Sequence, residues 1–369
     1  MDGGRRPRWR SVGIGAAVAA AAALALAACS SSHTASGSAA PDQPVSLQLA
    51  VASPAPSYGD LFWAIQQGIF TKLGLNLTLN TGLGGNAVSE VASGQIVAAV
   101  NGTTQSLGVM LAGRSIQFIA ADTNGVAASA VTVLQSSDYK DLMDLSGQTV
   151  GVIGVNGSAW GCANSDSDYI VAHGGKALKI VVGANAAAEA AALQSGSTQA
   201  IIGNPAYSSQ IKAGQFRELM SIGDPLQVKI TGGHNVIATS YYGSPATLKK
   251  NKTAITRLIA GLRIARAQIE TAGDKKVADV LAGNSNFAPT VISSADLLAQ
   301  VTAARPFWAG QDVQITKAQW TDSIAAFKKW NLLDNSNKPV DLTSPTISYA
   351  KAVNMAYWND ATALVKGYK

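Results

Sequence analysis

Beyond residue 45 the chain alternates short apolar runs with segments of helical period, each about a dozen residues long, and that rhythm predicts parallel βαβ units. Ser46–Ser53 reads as a strand and the stretch from Gly59 to Thr71 as a helix. Leu75–Thr81 reads as a second strand, with Leu75, Leu77 and Leu79 alternating as a pleated face requires. A glycine loop at 82–86, holding Gly84, Gly85 and Asn86, leads into a helix ending at Ser93-Gly94. A strand at Val97–Val100, an Asn-Gly pair at 101–102, a helix to Ala112 and a strand at Ile116–Ala121 follow.

The rhythm restarts after a crossing segment near Thr123–Leu134. Gln148–Val155 is a buried strand, Asn156–Gly161 a glycine-containing turn and Cys162–His173 a helix; strand Lys179–Gly183, helix Ala186–Gln194 and strand Ala200–Gly203 complete the second half. A local signature recurs as well. Ala92-Ser93-Gly94 precedes a short apolar strand and Asn101, and Gln194-Ser195-Gly196 precedes another and Asn204. Ligands of open parallel sheets bind at the carboxyl edge of the strands, so two such halves facing each other enclose a cleft. Past residue 238 the pattern is mostly helical. Ser244-Pro245 is an N-cap with proline at the first helical position of a helix reaching Ala272, and further helices are expected over 294–305, 316–331 and 344–368. In 316–331, Trp320, Ile324, Phe327 and Trp330 form an amphipathic stripe that packs on a lobe as core.

The N-terminus adds a location. Arg5, Arg6, Arg8 and Arg10 stand against one acid, Asp2, before an uncharged Ala-rich run from Ser11 to Ala28. A basic start, an apolar middle and small residues read as an export signal over 1–28. Leu26-Ala27-Ala28-Cys29 resembles the bacterial lipobox, which implies that Cys29 is acylated and holds the mature chain at the outer face of the cell membrane. Residues 29–45, rich in Ser, Ala, Gly and Pro, read as a flexible tether in which His33 is solvated.

Removing residues 1–28 takes four Arg and one Asp from 28 basic and 22 acidic residues, leaving a net charge of +3. The sequence pI of 9.2 therefore gives no argument for nucleic acid. About 325 further residues are too many for one core and suggest two lobes. Of the 2 cysteines one is assigned to lipid, so no disulfide forms within the chain, and 3 unclustered histidines argue against a metal site. No cofactor is expected, and G-x-S-x-G, H-E-x-x-H and P-loop patterns are absent from the sequence.

Several segments carry a family resemblance. PSYGDLFWAIQQGIFTKLGLNLTL (56–79) is similar to the opening of the nitrate/sulfonate/taurine-type substrate-binding proteins of ABC importers, the SsuA/THI5-like or NMT1-like family. EVASGQIVAAVNGTTQSLGVMLAGRSIQFIAA (90–121) and DLMDLSGQTVGVIGVNGSAWG (141–161) continue it in order and spacing. The resemblance implies an α/β, two-lobed type II periplasmic-binding fold, each lobe a βα sheet flanked by helices, with two hinge crossings. Lobe 1 takes 46–125 and 235–369 with the C-terminal helices; lobe 2 takes 126–234. It further implies a monomer that catalyses nothing and delivers a small organic ligand, anionic or polar and sulfonate- or taurine-like, to permease and ATPase subunits by lobe closure. A ligand-sensing lipoprotein is the alternative, and a pyrimidine-biosynthetic enzyme of the same family name is the remoter one. The family commonly has Asp where this chain has Val97 and Gln199, which loosens the ligand assignment but not the fold.

Candidate ligand groups follow from the strand–helix loops. Lobe 1 offers Ser57, Tyr58 and Gly59, then Gly85 and Asn86, then Asn101, Thr103 and Thr104; lobe 2 offers Ser158, Trp160, Asn204 and Tyr207. Helix N-terminal amides there suit an anion. Asn86 and Ser158 are alternatively caps, Asn101-Gly102 alternatively a turn, and Tyr58 and Trp160 either packing residues or two faces of an aromatic sandwich. His234 belongs to a hinge or to a satisfied core position, and Cys162 is a small buried hydrophobe near a helix start, alternatively a reactive thiol.

Overall fold

The computed structural model describes residues 43–51, 56–81, 83, 86–124, 129–203, 207–233, 235–285, 294–307, 312–334 and 337–368. The export signal, Cys29, most of the tether, Gly84, Gly85, Asn204 and His234 lie outside these residues.

Along the chain come β1 (Val45–Val51), α1 (Gly59–Gln66), α2 (Ile69–Lys72), β2 (Leu75–Asn80), α3 (Ala87–Ser93), β3 (Ala98–Gly102), α4 (Thr103–Leu111) and β4 (Gln117–Asn124). Next are β5 (Ala130–Leu134), β6 (Thr149–Ile153), α5 (Ser158–Ala172), β7 (Lys179–Gly183), α6 (Ala186–Gln194), β8 (Ala200–Gly203), α7 (Ser208–Lys212), β9 (Phe216–Met220) and α8 (Pro225–Ile230). The chain then returns through β10 (Ile237–Gly243) and ends in α9 (Pro245–Lys250), α10 (Lys252–Thr271), α11 (Asp274–Ala282), α12 (Ser294–Ala304), α13 (Lys317–Lys329), α14 (Tyr349–Ala352) and α15 (Ala356–Gly367).

Two five-stranded sheets result, ordered β2-β1-β3-β10-β4 and β7-β6-β8-β5-β9. In each, three parallel strands are followed by one that runs antiparallel to both its neighbours, β10 in the first and β5 in the second. The recurring Ser-Gly signature falls at equivalent places. Gly94 (φ 82°) and Gly196 (φ 73°) are both left-handed and each turns the chain toward the third strand of its sheet.

Three expectations change. The helix expected over 59–71 is two, because Gly68 adopts a left-handed φ of 66° and breaks it. The segment around 123–134 is not only a connection but supplies β4 and β5. Strands β9 and β10 had no reading as strands. Apart from Thr239, every residue of β10 is buried, so its sequence IATSYYG carries no polar–apolar alternation to read.

The stripe expected on one lobe joins both. Trp320 packs on Phe118 of β4, ring centroids 5.1 Å apart, and its indole N–H donates to the Ile347 carbonyl at 2.8 Å. At the other end of α13, Trp330 lies on α5 of the second lobe, where a Cβ built on Gly161 would stand 2.4 Å from its ring. One continuous apolar cluster accordingly includes Ala99 and Tyr242 of the first sheet, Phe327 and Trp330, and Val131 and Val150 of the second. Gly161→Ala overpacks this seam, and we expect a loss of about 1–3 kcal/mol, read as a lower urea midpoint with unchanged slope.

Candidate functional site

The carboxyl edges of the two sheets meet. Thr104, in the first turn of α4 just after β3, donates its hydroxyl proton to the Asn156 carbonyl, just after β6. Asn156 is left-handed (φ 63°), a conformation asparagine tolerates better than most residues. Its side chain is engaged elsewhere. Nδ2 donates to the Leu333 carbonyl at 2.5 Å and Oδ1 accepts from the Leu333 N–H at 2.8 Å. One residue therefore ties both lobes to the segment after α13. It was no candidate in the sequence, although an Asn-Gly pair after a strand was its visible signal.

Two helices begin at this junction, α4 and α5, with Gly102 and Gly157 as their N-caps, and neither has a side-chain cap; α1, which follows β1, starts at Tyr58 without one as well. Helices α8, α9 and α13 are capped by Asp224, Ser244 and Thr316. An uncapped start leaves backbone N–H groups and the positive end of the helix dipole available to a ligand. No lysine or arginine stands in the first turn of α1, α4 or α5.

The candidate residues sort themselves around that junction. Thr103 is buried and donates to Ser240 Oγ at 3.0 Å, whereas Thr104 makes the contact between lobes. Asn101 is 1% exposed; its Oδ1 accepts from Ser106 at 3.1 Å, and its Nδ2 has no partner among the described residues. Ser57 is half-buried and Gly59 buried at the start of α1. Ser158 is half-buried in the first turn of α5 and Asn86 is exposed before α3; neither caps its helix.

The aromatic candidates are engaged in packing and hydrogen bonds. Tyr58 is 5% exposed and packed within lobe 1, while Trp160 donates its indole N–H to the Asn331 carbonyl at 3.3 Å, so the pair forms no open sandwich. Tyr207 is 3% exposed, packs edge-on to Phe216 and donates to Glu189 Oε2 at 2.6 Å. That places it in the satellite core beneath α6. It is not at the junction. Gln199 is also structural: it accepts from Thr149 N–H at 3.1 Å and donates to the Gly196 carbonyl at 2.9 Å.

Beneath the start of α1 lies a buried charge cluster that the sequence did not announce. Arg266 pairs with Asp60 at 2.7 Å and also donates to the Asp122 carbonyl. Burial, then the Asp60 charge, pushes the Asp122 carboxyl well above the usual carboxylate range, opposed by Arg266 and the hydroxyls of Thr239 and Tyr241. Asp122 stands two residues before β4 ends and the chain crosses to lobe 2. Cys162 is sealed inside lobe 2, where burial raises its thiol far from reactivity. A separate groove of about 740 Å³, with Gln105, Val109, Arg114, Val155, Asn156 and Pro339 in its walls, runs beside α4. It shares Asn156 with the junction and, through Gln105, the first turn of α4, but not the starts of α1 and α5.

A family model described as NMT1/THI5 like matches residues 55–269. No curated protein matches the sequence. Among solved structures, a Bordetella bronchiseptica RB50 protein is 21% identical, with 87% of this chain and 98% of that one covered at a TM-score of 0.67. The alkanesulfonate-binding protein SsuA from Xanthomonas axonopodis pv. citri, bound to MOPS, is 17% identical over 85% and 99% of the chains, TM-score 0.61. The desulfurization enzyme DSZB is 15% identical over 86% and 99%, TM-score 0.55. At these identities the likeness shows a shared fold.

The placement of Tyr207 has a direct check. Tyr207→Phe strips Glu189 of its donor inside a dry core, and we expect about 1–3 kcal/mol of lost stability. Affinity for any ligand of the junction should stay unchanged in the same preparation by calorimetry.

Proposed function

The chain belongs to the NMT1/THI5-like family, and from that premise we propose that it is an extracytoplasmic solute-binding protein, tethered through Cys29, that passes a small organic ligand to an ABC importer. The observation that carries the proposal is the meeting of uncapped helix starts from both lobes, α4 on one side and α5 on the other, where Thr104 meets Asn156. In this reading the lobes divide at residues 46–125 with 235–369, and 126–234. They part to admit the ligand and close over it. A ligand drives closure only by as much as it prefers the closed arrangement.

The chemistry of the junction selects the ligand class. Backbone N–H groups, hydroxyls and the unpartnered Asn101 amide donate to a spread, singly charged head group such as a sulfonate. A compact multivalent anion would need the cationic side chains that these helix starts do not provide. The alkanesulfonate-binding likeness points the same way. The fold also serves an enzyme, but the described candidates for chemistry are misplaced for it. Cys162 is buried within lobe 2, and His173 is exposed at the end of α5 beside Tyr169.

Two measurements test the reading. A thermal-shift series of taurine, alkanesulfonates, nitrate, amino acids and pyrimidines should raise the melting temperature with a sulfonate, and small-angle scattering should show compaction with that hit. Thr104→Val removes the hydroxyl that bonds across the lobes, and we expect affinity to fall about fivefold, the equivalent of one hydrogen bond of about 1 kcal/mol. Compaction by none of these compounds, or an unaltered affinity in the variant, would sink the proposal.

A further inference from the structure

Lobe 2 contains a buried carboxyl with no cation to answer it. Asp166 is 0% exposed on α5, and Gln227 of α8 is 1% exposed. Gln227 Nε2 donates to Asp166 Oδ1 at 2.9 Å, yet the other oxygen of each group, Asp166 Oδ2 and Gln227 Oε1, is buried without a hydrogen-bond partner among the described residues. Two orphan acceptors on one bonded pair are costly together, and a single proton removes both costs. On Oδ2 it turns the carboxylate into an acid that donates to the amide oxygen, closing a two-bond ring.

The pair sits where the chain leaves lobe 2. Helix α8 ends at Ile230; the Thr231 hydroxyl donates to the Gln227 carbonyl at 2.7 Å and Gly233 N–H to the Val228 carbonyl at 2.7 Å. The crossing from 231 to 236 then enters β10. We propose that Asp166 and Gln227 form a neutral acid–amide clasp that fastens α8 to α5, and that losing its proton frees the second crossing between the lobes. The bonded pair then holds a charged carboxylate and two buried acceptors that no described residue donates to, and α8 is pushed from its seat.

The surroundings leave the clasp to titrate alone. Burial lifts the Asp166 carboxyl to about 8, opposed only by the Gln227 hydrogen bond. On α5 itself, Cys162 one turn earlier is neutral and Asp168 points outward to Lys329. Strands β6 and β8 carry no titratable side chain. Asp144 near the start of β6, Lys229 on α8, and Lys328 and Lys329 on α13 are all outside the buried site. An unfolded aspartate titrates near 3.9, so the stability this acid contributes is complete below that pH and drains away as pH climbs to about 8. Asp166→Asn keeps both hydrogen bonds without a proton to lose.

The titration needs no ligand, so it fails or succeeds apart from the reading of the junction; only its bearing on lobe closure rests on that reading. Carbon-13 NMR of aspartate-labelled protein should show one carboxyl titrating near pH 8 and missing from Asp166→Asn. Amide hydrogen exchange over 227–236 should match between wild type and variant at pH 6.5. At pH 9, one unit past the transition, exchange should be about tenfold faster in the wild type. A carboxyl already ionised at pH 6.5, above all one that shifts when sodium replaces choline, overturns the clasp in favour of a bound cation. A carboxyl that titrates near 8 while exchange stays equal at pH 9 overturns its role in the crossing.

Discussion

Trp330 lies against Gly161 so closely that no Cβ fits between them, and through that contact α13, rooted on Phe118 at its other end, grips the second lobe. Two sheets joined by two crossings have little else in common by sequence. A shared apolar seam gives them a fixed axis, because dense packing resists sliding but tolerates rotation about a flat aromatic face. Asn156, holding Leu333 by two hydrogen bonds, places the loop after β6 relative to the same segment. The position of the helix starts at the junction follows from these two attachments.

Polar groups then divide by depth. At the rim, helix starts go uncapped and hydroxyls bridge the lobes. Near the crossings lie carboxyls that burial pushes toward the neutral form, Asp122 in β4 and Asp166 on α5. Neutral acids can be buried with hydrogen bonds alone, whereas charged ones need a partner such as Arg266 supplies to Asp60. In the proposed reading, a rim of free donors over acids shifted toward neutrality avoids opposing an anionic head group.

Much of this was legible in the chain. Alternation in LNLTLN, the paired Ser-Gly corners and the apolar third strands gave both sheets their parallel halves, since each signal is local. The antiparallel strand β10 was not, because its buried faces erase alternation and its partners lie far back in sequence. Site residues fared by the same logic. Thr104 was readable from its position after a strand, while the inward turn of Tyr207 depends on Glu189 and Phe216 meeting it in space. Nothing about Asn156 in the sequence could announce Leu333, which is 177 residues away.

Strand β7 closes one side of the second sheet and has no neighbour beyond it among the described residues. Val181 and Val182, on opposite faces, are 42% and 47% exposed, and between Ile180 and Gln199 the single charged residue, Glu189, is buried. Edge strands are normally guarded by charge or proline; this one has only Lys179 at its entrance. On that rim a single lysine is the one charge set beside exposed valines, which is little guard for an unpaired row of backbone donors and acceptors.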